Sequence, residues 1–170
     1  MGRCLIVANQ TLGGDALDGV VQARIDEGVG SFFVLVPMIP PTEESSVWRF
    51  GFSTEANPVS GGRRSPVEQD LQRREARFEA QFEARRRASK RLEKMIATIT
   101  SAGARASGQV GDPDPVAAVR RVLEDRAFDE VIVSTLPAGL SRWLKLDLPN
   151  RVARMSRAPV TTVEAAAADA

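Results

Sequence analysis

Residues 131–152 read VIVSTLPAGLSRWLKLDLPNRV. Hydroxyls at Ser134, Thr135 and Ser141, a glycine at position 139 and the guanidinium of Arg142 gather where an apolar run ends and an amphipathic helix pattern begins. These are residue types that bind oxyanions. Glycine lets backbone N–H groups approach phosphate oxygens, a hydroxyl donates one more hydrogen bond, and a guanidinium pairs with phosphate directly. Ordinary structural roles fit the same residues: Ser141 as a helix N-cap and Arg142 as a solvated helical residue. Both readings stay open at this point.

Much other chemistry is excluded. The chain has no histidine, so a histidine base, a Ser-His-Asp triad and a histidine-ligated metal are all ruled out. The single cysteine, Cys4, lies in the apolar run CLIVA and reads as a buried, inert strand residue. Asp112 and Asp114 form an acidic pair, but the prolines beside them favour helix capping over a metal site, and no structural metal is expected. LGGDALDG, residues 12–19, resembles the pyrophosphate loop of ATP pyrophosphatases only loosely. Leu12 and Ala16 stand where that loop has serines, and a helix start capped at Asp15 accounts for it better.

The elements that must position these groups follow from hydrophobic patterning. CLIVA (4–8), SFFVLV (31–36), ARASGQV (104–110), residues 130–134 and PVTTV (159–163) read as strands. Helical spacing spans Asp15 to Ile25, closed by Gly28, and returns at 66–102, at 113–126 with Asp112 as N-cap and Pro113 next, and at 141–154. Continuous apolar strands alternating with helices imply an α/β fold, a doubly wound, Rossmann-like five-stranded parallel sheet with helices on both faces. A single domain spans 1–165, with a Pro-rich insertion at 37–66 that carries Trp48, Phe50 and Phe52, and a frayed tail at 166–170. Ligands of such sheets sit in the crevice at the strand C-termini.

The order of elements and several motifs resemble the universal stress protein family, best over residues 103–163. GDPDPVAAV resembles the family's Gly-Asp-Pro segment. VIVST, a glycine-containing loop, a leucine-rich helix and APVTTV follow in family order, and LIVA fits the first strand. Nucleotide-binding members carry Gly-x-x-Gly, nine residues, then Gly-Ser or Gly-Thr. Here the loop is LPAG, which keeps only Gly139, and Leu146-Asp147 replaces the later Gly-Ser. Asn9 or Gln10 stands where the family has an aspartate. The resemblance therefore implies a divergent member with a degenerate ATP-binding motif. An adenine nucleotide such as ATP would be held by Ala8, Asn9, Val36, Gly111, Ser134, Thr135, Gly139, Ser141 and Arg142. It also implies a homodimer paired through the last strand, Pro159–Val163, an edge short of charges.

A net charge of +1 gives the whole molecule no pull toward nucleic acid or membrane. From Arg63 to Lys94 eleven basic residues face six acidic ones. The interleaved glutamates suit intrahelical pairing, so a solvated or partner-facing helix is expected there rather than a nucleic-acid site. No apolar run reaches a membrane span, and one cysteine with no signal-peptide pattern points to the cytoplasm. Three function classes remain: a stress-response regulatory or ligand-binding protein, an interaction module working through the long helix and the aromatic loop, and a slow ATP hydrolase or adenylyl transferase. The last is the least supported, since no nucleophile or base is evident, and a non-enzyme is expected.

Overall fold

The computed structural model describes residues 2–38, 66–137 and 147–165, the side chains of Pro66 and Gln69 excepted. Five strands, β1 (Gly2–Val7), β2 (Val29–Pro37), β3 (Arg105–Gly111), β4 (Glu130–Thr135) and β5 (Val160–Glu164), form one parallel sheet in the order β3-β2-β1-β4-β5. Between them run α1 (Asp15–Asp26), α2 (Pro66–Ser101), α3 (Pro115–Asp125) and α4 (Leu148–Met155). The order reverses between β1 and β4, so the topological switch point lies at the C-terminal ends of these two strands.

Both faces of the central strands are dry. Alternate side chains sort into two cores, as the period-2 pleat requires. Cys4, Ile6, Phe32, Val34 and Ile132 meet Leu17 and Val21 of α1 and Ala88, Leu92, Met95 and Ile99 of α2. Leu5, Val7, Phe33, Leu35, Val131 and Val133 meet Val116, Val119 and Val122 of α3 and Leu148 and Val152 of α4. This burial explains the uninterrupted apolar runs. It also pushes the Cys4 thiol up to about 12, mainly through desolvation, so it stays protonated and unreactive at neutral pH.

Two helix starts differ from the sequence expectation. α3 begins at Pro115, two residues later than expected. Asp114 is its N-cap, its Oδ1 accepting from the N–H of Val116 at 2.9 Å and of Ala117 at 3.3 Å. Asp112 instead accepts from the Asp114 N–H at 3.1 Å, shaping the turn before the helix. In α1 the N-cap is Gly14, and Asp15 is the first helical residue; with Asp18 it places negative charge at the positive end of the helix dipole. The long helix ends at Ser101 and Gly103 follows it with φ +93°, a left-handed turn suited to glycine.

At the opposite end of the sheet from the switch point, Arg24 clamps three elements. Its Nε and Nη2 donate to Glu130 Oε2 and Oε1 at 2.6 and 3.0 Å, and Thr161 Oγ1 donates to Glu130 Oε1 at 2.8 Å. The hydrogen bond from Arg24 holds the Glu130 carboxyl below its usual 4.5. The unfolded chain therefore takes up this proton at a higher pH than the folded one. Its stabilisation is complete above pH 4.5 and fades as pH falls through the lowered folded value. Glu130→Gln should cost about 2 kcal/mol at neutral pH, as for a charge-assisted hydrogen bond. In urea unfolding, the gap between variant and wild type should narrow below pH 4.5.

Candidate functional site

β1 ends at Val7 and the chain passes through Ala8 to Gly14 before α1 begins. This loop is two successive turns, with the Leu12 N–H bonded to Asn9 O at 3.2 Å and the Gly14 N–H to Thr11 O at 3.2 Å. Gly13 takes φ +80°, and a Cβ placed there would sit 3.4 Å from Lys94 Nζ of α2. Glycine thus does two things at this point: it permits the turn and it admits the lysine.

Asn9 is 3% exposed and braces the crevice. Its Nδ2 donates to the carbonyl of Pro37, the last residue of β2, and its Oδ1 accepts from Arg91 Nη1 of α2 at 2.7 Å. The end of β1 is thereby tied to the end of β2 and to a helix far away in sequence. Ser134 and Thr135 close β4, one strand over, and both are 1% exposed.

Among the described residues four buried oxygens have no hydrogen-bond partner: Thr11 Oγ1 in the loop after β1, Asp18 Oδ1 in the first turn of α1, and Ser134 Oγ and Thr135 Oγ1 at the end of β4. Each unmet buried polar group costs about 1–3 kcal/mol, so these oxygens call for a partner that the described residues do not supply. Burial raises the Asp18 carboxyl, and Lys94 partly counteracts the rise. The site therefore combines orphaned hydroxyls, a desolvated acid and a lysine beside the Gly13 turn. That set suits a polar ligand with hydroxyl or oxyanion groups.

The sequence-derived residues divide into four groups. Asn9, Ser134 and Thr135 come together at the crevice. Ala8 and Val36 are fully buried in the core under α1 and α2. Gly111 ends β3, where a Cβ would stand 2.9 Å from both Ala118 and Leu35, so close packing accounts for this glycine. Gly139, Ser141 and Arg142 lie outside the described residues. Thr11, Asp18, Arg91 and Lys94 were missed by sequence reasoning. The first two sit next to a recognisable strand end, which is a usable signal. Arg91 and Lys94 stand on α2, and nothing in their local sequence aims them at β1. Among the described residues no group of three or more Cys, Asp or Glu could hold a metal, and no helix is long and apolar enough to cross a membrane.

No family model matches the sequence, and no curated protein matches it either. Solved structures do match in fold. A universal stress protein from Archaeoglobus fulgidus is 11% identical, with 96% of this chain and 93% of that one covered and a TM-score of 0.52. The A. fulgidus protein in complex with dAMP is 12% identical, covers 96% and 97%, and has a TM-score of 0.50. A universal stress protein family protein from Arabidopsis thaliana with AMP bound is 9% identical, covers 99% and 95%, and has a TM-score of 0.55. TM-scores of 0.50–0.55 with near-complete coverage of both chains in each comparison lead to one conclusion: this chain, with its five-stranded parallel sheet, has the fold of the universal stress proteins.

Proposed function

We propose that the protein is a regulatory, ligand-binding member of this fold that takes an adenine nucleotide in the crevice between the C-termini of β1 and β4. One observation carries the reading: the four buried, unpaired oxygens of Thr11, Asp18, Ser134 and Thr135. A nucleotide's ribose hydroxyls and phosphate oxygens are partners of the right kind. Lys94, beside Gly13, supplies a positive charge for the phosphates, and Gly139, Ser141 and Arg142, outside the described residues, belong to the same reading as further phosphate ligands. The AMP and dAMP complexes of proteins with this fold support the choice of ligand. Pairing of two copies along β5, at the edge of the sheet, belongs to the same reading.

A thermal-shift titration with ATP, ADP and AMP tests it. A nucleotide at a hundred times its dissociation constant should stabilise the fold by about 2.7 kcal/mol. Thr135→Val removes an orphaned hydroxyl, so it should raise the stability of the free protein by about 1 kcal/mol while weakening the nucleotide shift. Absence of any shift at millimolar nucleotide would sink the proposal. So would a Thr135→Val protein that responds to nucleotide as wild type does.

A further inference from the structure

The N-terminal half of α2 has an apolar stripe that the domain does not use. Val67, Leu71, Phe78 and Phe82 are 68%, 54%, 74% and 62% exposed. At about 100° per residue all four fall within about 60° of each other on the helix surface. Val67 and Phe78, like Leu71 and Phe82, are eleven residues apart, a recurrence that holds a stripe on one side of a nearly straight helix. The buried face of the second half, Ala84, Ala88, Leu92, Met95 and Ile99, points about 90° away from it. The stripe is therefore not a continuation of the core seam but a separate surface.

The charges beside it indicate what covers it. In the gap between Leu71 and Phe78 stand Arg74 and Glu75, one on each side of the stripe. Glu79 continues the acidic side and Arg77 the basic side; Asp70, on the basic side, is already bonded to Arg74 at 3.0 Å. Two copies packed in parallel about a two-fold axis set the acidic side of each against the basic side of the other, so Arg74 faces Glu75 of the second copy. An antiparallel pair sets Arg74 against Arg74 and Glu75 against Glu75. In the parallel pair each apolar residue also meets its own counterpart in register. A polar layer inside an apolar seam is the usual device that fixes register and orientation. The domains, attached to faces about 90° from the stripe, then lie on opposite sides of the seam and do not collide.

We infer that residues 66–83 of α2 form a parallel two-stranded coil with a second copy of this chain. The full-length protein should associate beyond any β5 pair in sedimentation equilibrium, and Phe78→Glu with Phe82→Glu should weaken that further step by about tenfold or more while the far-UV spectrum is kept. Orientation is read by oxidation of Leu71→Cys protein. Parallel copies bring the two introduced thiols together, whereas antiparallel copies hold them about 10 Å apart along the axis, beyond disulfide reach. The native Cys4, 1% exposed, does not interfere. Efficient crosslinking of Leu71→Cys supports the inference. It is overturned if only a mixture of Leu71→Cys and Phe78→Cys proteins crosslinks, which means antiparallel pairing. It is equally overturned if association is unaffected by the glutamate pair, or if the protein is monomeric.

Discussion

Replacing Gly108 by alanine should destabilise the protein by roughly 3 kcal/mol or more, at the top of the range for overpacking. Gly108 lies in β3 opposite Val34 of β2. A Cβ there would stand 2.3 Å from the Val34 carbonyl oxygen and 2.6 Å from Leu92 Cδ1. Leu92 can change rotamer, but the carbonyl belongs to a strand that is paired on both edges and cannot yield without shifting the ladder. The loss also reaches the site. α2 rests on β3 through Leu92, and the same helix delivers Arg91 to Asn9 and Lys94 to Gly13. Thermal unfolding should show a drop of about 6–12 °C for a chain of this size, and hydrogen exchange should speed first in β3 and the second half of α2. A stability within 1 kcal/mol of wild type would mean that β2 and α2 leave room for a methyl group at position 108.

The legible and illegible parts of the molecule separate on physical grounds. β1, β2 and β4 could be read because each is buried on both faces and so is written as an unbroken apolar run, whereas the edge strands β3 and β5, half-exposed, were marked only by their place in the alternation with helices. Right-handed crossovers then give a doubly wound sheet, while the strand order itself comes from the structure. Asn9, Ser134 and Thr135 were legible for a related reason, since a strand's C-terminal end is a position that sequence gives directly. The start of α3 was read two residues early because Asp-Pro occurs twice in GDPDP and either copy could cap a helix. The first aspartate is instead consumed by the turn, accepting from the N–H of Asp114, which leaves the second to cap. Arg91 and Lys94 were illegible because their part in the site depends on which way a helix 82 residues away from Asn9 is rotated, and only packing decides that. The oxygens of Thr11 and Asp18 became notable only once they were found buried and without partners.

The two halves of α2 should respond to truncation in opposite ways. Ile99 is completely buried among Phe32, Val34 and Met95, and Ile99→Ala should cost about 2–5 kcal/mol through lost burial and the cavity left behind. In urea unfolding that cost should be the same at every protein concentration, since it is paid within one domain. Phe78→Ala removes a larger side chain from the same helix, yet at 74% exposure it has little to lose within the domain. In dilute solution its effect on unfolding should stay within about 0.5 kcal/mol, as for surface substitutions generally. At high concentration it should grow, because binding of a second copy stabilises the folded state by mass action and the variant forfeits part of that stabilisation. A cost for Phe78→Ala as large as that for Ile99→Ala, and independent of concentration, would place Phe78 inside the domain after all. The opposite result would leave α2 as a helix whose C-terminal half builds the core and whose N-terminal half serves association.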